Sequence, residues 1–269
     1  MPGFGFGFWR AGQGPFTPQK AFGADLVQLF DARSGVFSDS GTTAVTAGGT
    51  VQQWNDLSSY TKNLSQTTAL NKPTWNTDSG LSWVASDGSD DFMNSAAIDL
   101  SGVAQITIFA GVRKLSDAAA QFIAEVGSNT TTNARGLAIG AGTLSGDASR
   151  RTWFISHETG NATPQTVGGA AVFTQPTSAV LTAMFDRSQA TTATELTMRV
   201  NGVLQSLTYN NTNVSSGNYS NSALYVGRTA AGGSPFTGRL YCLAIVKRAC
   251  TAAEITAMEA WVNARTGAY

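Results

Sequence analysis

Two carboxylates about 5.5 Å apart on one sheet would hydrolyse a glycosidic bond with retention. A strand of the form Glu-x-Asp-x-(x)-Glu would supply them. The chain has five glutamates, Glu125, Glu158, Glu195, Glu254 and Glu259, and none has that spacing. No catalytic residue is therefore assigned, and the chain is expected not to be an enzyme. The single histidine, His157, follows RRTWFIS. It lacks the serine and aspartate partners of a nucleophilic site and reads as a polar residue in a loop or at a strand end. Trp153 and His157 share strand parity. They could line one face as a platform for stacking a neutral sugar, and they are the candidate glycan-binding residues. Buried packing is the other reading of the same spacing.

Asp87, Asp90 and Asp91 cluster around Gly88. Hard oxygens suit Ca²⁺, but the spacing has no EF-hand register, and Asp-Gly-Ser-Asp is ordinary turn chemistry. No metal site and no cofactor are assigned. Cys242 and Cys250 are separated by seven residues, several of them in the extended run LYCLAIV. At about 3.3 Å per residue the two Cα atoms lie beyond the about 7 Å reach of a disulfide. Both are read as reduced, with Cys242 in a core or sheet. Gly168-Gly169 and Gly232-Gly233 are loop glycines without a phosphate-loop context.

The elements that carry these residues read as β. ITIFAGV (106–112) and AVLTAMF (179–185) alternate as strands. LTMRV and VLQSL flank Asn201-Gly202, whose two residues suit the positive-φ positions of a type I′ hairpin. ALYVGR (223–228) and FTGRLYCLAIV (236–246) follow. Thr251 and Glu254 form a capping box for one C-terminal helix, with Ile255, Met258 and Val262 on a stripe and Gly267 as its stop. That helix is expected to pack beside or across the sheets. Strands recurring at short spacing with polar loops indicate a sandwich or jelly roll.

Composition bounds the function. Of 269 residues, 42% are hydrophobic but only 13% charged, and the net charge is zero. A polar, uncharged surface suits packing in an assembly or neutral hydroxylated ligands. It gives no basic face for nucleic acid. No run reaches the about 18 apolar residues of a membrane span, so no membrane insertion is expected. MPGFGFGFWR lacks the early basic region of a signal peptide, which points to synthesis in a cytoplasm. Residues 1–24 form a separate segment rich in aromatics and glycine. Phe4, Phe6, Phe8, Trp9 and Phe16 are expected to anchor it as an arm, in a neighbouring subunit or on the domain's own flank. Residues 25–269 are expected to be one domain.

Two parts of the chain carry a family resemblance. VNGVLQ, LYVGR and GRLYCLAIVKRACTAAEITAMEAWVNARTG resemble the laminin-G/concanavalin A-like lectin superfamily. The family's helix start, Arg-x-Leu-(Ser/Thr)-x-x-Glu-Ile, reads here from Arg248 to Ile255, with Cys250 in place of leucine. LFDARSG, SDSGTTAVTAGG, VQQWNDLS, KPTW and WVASDGSDDFM resemble bacteriophage-encoded members. The resemblance covers most of residues 25–267 and is weakest over 115–175. It implies an all-β, concanavalin A-like jelly-roll sandwich with a short C-terminal helix. It implies a structural protein of a virion assembled in the host cytoplasm, as a head or tail decoration, spike or fibre-associated protein. Its expected partners are other capsid or tail proteins and copies of itself. A module that binds host surface glycan and a glycan-degrading enzyme are the alternatives. In this reading Asp31, Trp54, Asp56, Trp75 and the Asp90-Asp91 turn hold the scaffold.

Overall fold

The computed structural model describes residues 15–127, 136–143, 151–158, 165–209 and 217–269. In chain order the elements begin with helix α1 (Pro18–Phe22), β1 (Leu26–Asp31), β2 (Val36–Phe37), β3 (Gln53–Trp54), β4 (Leu64–Ser65), β5 (Thr74–Asp78) and β6 (Leu81–Asp87). They continue with β7 (Met93–Ser95), β8 (Gln105–Lys114), β9 (Gln121–Val126), β10 (Leu137–Thr143), β11 (Arg151–His157), β12 (Gln165–Gly169) and β13 (Thr177–Asp186). A short α2 (Thr192–Glu195) precedes β14 (Leu196–Val200), β15 (Val203–Leu204), β16 (Leu207–Tyr209), β17 (Leu224–Val226), β18 (Thr237–Val246) and α3 (Ala252–Thr266).

The strands form two antiparallel sheets. The first runs β15-β14-β13-β8-β18-β6-β5, and the second β16-β12-β11-β10-β9-β17-β7-β4-β3-β2. One edge of β18 serves two partners. Its first half pairs with β6, and its second half, after an irregularity between Leu240 and Cys242, lies beside β1. Alternation fills the space between the sheets. Ile106, Ile108, Ala110 and Val112 of β8 face Ile123, Ile139, Trp153 and Ile155 of the second sheet in one buried cluster. The hairpin at Asn201-Gly202 has φ of 50° and 77°, the two positive values that a type I′ turn requires.

The first sheet is apolar on its outer face too, because α3 lies across it. Ile255, Met258 and Val262 pack with Phe109, Val180, Cys242, Ala244 and Val246. Burying each large side chain contributes about 1.5–3 kcal/mol, which fixes where the helix lies. Gly111 allows the close approach, since a Cβ there would collide with Thr266 Oγ1. The capping box forms: Thr251 N–H donates to Glu254 Oε2 at 2.8 Å, and Glu254 N–H donates to Thr251 Oγ1 at 3.3 Å. Gly267, at φ 59°, closes the other end.

Ion pairs pin the helix. Arg199 Nε lies 2.8 Å from Glu259, Arg265 Nε 2.7 Å from Asp31, and Arg248 bridges Asp25 at 2.8 Å and Glu254 at 2.7 Å. The Arg248 guanidinium holds the Glu254 carboxyl down at about 2. Phe22 of α1 stacks on Phe109 at 6.2 Å, and Phe16 meets Phe22 edge-on at 6.4 Å. The chain from Phe16 onward therefore lies on the domain's own flank. Phe4, Phe6, Phe8 and Trp9 fall outside the described residues.

Candidate functional site

The motifs of residues 29–93 are structural bonds. Buried Asp56 accepts four of them. Its Oδ1 takes the N–H groups of Leu29 and Ser58, each at 2.9 Å, and its Oδ2 takes Ser58 Oγ at 2.8 Å and Lys62 N–H at 2.9 Å. Trp54 Nε1 donates to the Asp31 carbonyl at 3.3 Å, and Trp75 Nε1 to the Ala32 carbonyl at 2.7 Å. Asp31 itself is shared by Arg33 and Arg265. Each of these groups ties β1 or the residue that follows it to another strand, to a loop or to the C-terminal helix.

The acidic turn does the same work. The carboxylate oxygens of Asp87, Asp90 and Asp91 lie within 4.8 Å of one another. Two of the residues are committed to the turn: Asp91 Oδ2 accepts Asp87 N–H at 3.0 Å, and Asp87 Oδ1 accepts Ser89 N–H at 2.8 Å. Burial raises the Asp91 carboxyl to about 6, against the lowering effect of the Asp87 N–H. The cysteines are free and buried, and burial pushes the Cys242 thiol up to about 12 and the Cys250 thiol to about 11. Burial thus favours the protonated thiol over the nucleophilic thiolate at both positions.

Trp153 and His157 do share a face of β11, but it is the inner one. Both are fully buried. Trp153 joins the central core. His157 Nε2 lies 2.9 Å from Gln165 Oε1 and 3.5 Å from Glu195 Oε2. Arg187 donates to the Glu158 carbonyl at 2.6 Å beside these residues and sits over the ring of Tyr219. Neither Trp153 nor His157 presents a surface to a sugar, which corrects the stacking platform expected from their spacing. Strand parity places two residues on one side without saying which side, and here both sides of β11 are covered.

Part of the outer side of the second sheet does reach solvent. Register aligns one row across nine strands: Thr166, Ser156, Ala138, Glu125, Tyr225, Asn94, Ser65, Gln53 and Phe37. At one end Ser156, Ala138 and Glu125 are buried, and Glu125 accepts the N–H of Ala230 from the loop that follows β17. Towards the other end Tyr225, Asn94 and Gln53 are half-buried and Ser65 is exposed. The Tyr225 hydroxyl and the Asn94 amide make no hydrogen bond to the described residues, whereas Gln53 Nε2 donates to Asn55 Oδ1 at 2.7 Å. Beside the row, Arg228 covers the ring of Phe92 at 3.3 Å. Its less buried stretch thus offers a phenol, an amide and a hydroxyl, and the row carries a single carboxylate. Its members come from strands of two to seven residues spread over most of the chain, so no local motif announced it.

The sequence model of the concanavalin A-like lectin/glucanases superfamily matches residues 87–256. No curated protein matches the chain in sequence. Among solved structures, the binding domain of botulinum neurotoxin serotype G is similar at a TM-score of 0.57 and 11% identity, over 88% of this chain and 51% of that one. A structure of botulinum neurotoxin type C, whose cell entry is described as dependent on interaction with two ganglioside molecules, gives 0.55 and 8% over 91% and 53%. Trypanosoma rangeli sialidase in complex with the inhibitor DANA gives 0.54 and 12% over 87% and 32%. The chain spans about half the length of the toxin chains and about a third of the sialidase chain, and at these identities the likeness is one of fold. The two packed sheets, the terminal helix and the family match agree: the chain belongs to the concanavalin A-like lectin/glucanases superfamily.

Proposed function

We propose that the protein is a non-enzymatic recognition module that binds glycan on the outer face of its second sheet. The Tyr225–Asn94–Ser65 stretch carries this reading. A neutral hydroxylated ligand needs hydrogen-bonding groups free of internal partners beside a partly exposed aromatic ring, and the stretch provides them. One carboxylate in the row is one fewer than hydrolysis by a carboxylate pair uses. The similar toxin binding domains and the sialidase chain support a carbohydrate context without setting the ligand. The test is a glycan array with the whole chain, followed by Tyr225→Ala and Asn94→Ala. We expect binding to neutral glycans that weakens at least tenfold in both variants. Silence across the array, or binding indifferent to both changes, overturns the reading. Release of reducing sugar would replace it with a hydrolase.

A second reading concerns where the module works. The phage-like motifs of residues 29–93 and the aromatic N-terminal segment favour a component of a bacteriophage particle, attached through Phe4, Phe6, Phe8, Trp9 and Phe16. Phe16 and Phe22 pack in the apolar cluster on the outer side of the first sheet, which supports an arm that leaves the domain from this flank. Deletion of residues 1–14 should abolish incorporation into particles while the domain stays folded. Extending the deletion through Phe22 would remove a buried core residue and confuse the result. Normal incorporation without residues 1–14 would refute the anchor.

A further inference from the structure

The outer face of the first sheet carries a second feature, independent of the glycan reading. Beyond the end of α3, one cross-sheet row reads Ser178, Arg113, Arg239, Ala85 and Thr74. Arg113 and Arg239 are directly opposed across β8 and β18. Opposed residues of an antiparallel pair have Cα atoms only about 4.5–5.5 Å apart, and like charges so placed repel. Arg33, Arg199, Arg248 and Arg265 each pair with a carboxylate. Arg113 and Arg239 have no such partner among the described residues, and Arg113 Nε is buried without an acceptor. The other members of the row are neutral.

The surroundings hold Arg239 in place rather than neutralise it. Arg239 lies over the ring of Trp83 at 4.1 Å, and Trp83 in turn packs against Tyr241 at 5.9 Å. Trp83 and Asp87 stand on opposite sides of Ala85 along β6, so the stacking draws the Arg239 head group away from Asp87. Asp31, one row further along, is already shared by Arg33 and Arg265. Both residues are half-buried. One planar fork is fixed on an indole and the other stands on the neighbouring strand directly opposite, and planar guanidiniums suit two-point recognition of an oxyanion.

We propose that Arg113 and Arg239 form a binding site for one oxyanion: a sulfate, a phosphate or the carboxylate of a sugar acid. The probes are sodium sulfate, sodium phosphate and sodium glucuronate, titrated into the whole chain at constant ionic strength against sodium chloride. The readouts are the melting temperature and the ¹⁵N NMR signals of the arginine Nε–H groups. We expect the oxyanions to raise the melting temperature above the chloride control and to shift the Arg113 Nε–H signal. Arg113→Gln and Arg239→Gln should each weaken the response at least tenfold, and Arg239→Lys, which keeps the charge but loses the fork, should retain only part of it. A response to sulfate or phosphate alone identifies a free inorganic ion, and a response to glucuronate as well identifies a carboxylate-bearing ligand. Either supports the site. No oxyanion-specific shift of the Arg113 signal in the unmodified protein overturns it, even where a variant fails to fold. So does a response that survives both glutamine variants.

Discussion

Replacing Asp91 by asparagine should make this protein more stable at neutral pH. Burial, with the charges of Asp87 and Asp90 adding to it, raises the Asp91 carboxyl from 3.8 to about 6. The folded state thus binds this proton more tightly than the unfolded chain does. The resulting penalty is absent below pH 3.8, grows as the pH rises and is complete above about 6. One pKa unit is worth about 1.4 kcal/mol, which sets a ceiling of about 3 kcal/mol at pH 7. Asp87 is exposed to water beside it, and screening reduces the expected gain to about 1 kcal/mol. The asparagine carbonyl can still accept the Asp87 N–H that Asp91 Oδ2 now accepts at 3.0 Å. Urea unfolding of both proteins from pH 4 to pH 7.5 measures the effect directly. A gain of about 1 kcal/mol corresponds to a rise in melting temperature of roughly 2–4 °C. A variant less stable than the parent at pH 7, or a gap that fails to narrow between pH 6 and pH 4, would refute the reasoning.

Two further substitutions probe the bonds that position the sheets. Glu259→Ala leaves the half-buried Arg199 without its carboxylate and the buried Thr182 hydroxyl without its acceptor, so it should cost about 1–3 kcal/mol in chemical denaturation. A double-mutant cycle with Arg199→Ala should recover part of that loss, and strict additivity would show that the pair does not couple. Asp56→Ala strands four donors, one of them the buried Leu29 N–H, and should cost about 3 kcal/mol or more. A change below about 0.5 kcal/mol, the range of ordinary surface substitutions, would show that water replaces the carboxylate.

Local signals survived into the structure wherever their cause is local. Asn201-Gly202 makes its turn because two adjacent residues supply both positive φ values. Thr251 and Glu254 cap α3 because three residues suffice for a reciprocal cap. The scaffold reading of Asp31, Trp54, Asp56 and Trp75 agrees with their hydrogen bonds. What the chain order hides is assembled by register. Arg113 meets Arg239 across most of the C-terminal half of the chain, and Tyr225 meets Asn94 through two three-residue strands. Trp153 and His157 show the limit of periodicity, since alternation gives their common side while only the second sheet's position shows that side to be the interior.

The pairing of β1 with β18 has a consequence for tethering. Leu26 opposes Val246, and Phe16 and Ala268 pack against the same apolar cluster on the back of the first sheet. The two described ends of the chain therefore meet on one side of the molecule. A neighbour that holds the domain by Phe16 or by Ala268 therefore grips that side, opposite the sheet that carries Tyr225. Copies mounted side by side would all present that surface in the same sense, so that individually weak contacts could add along an extended target.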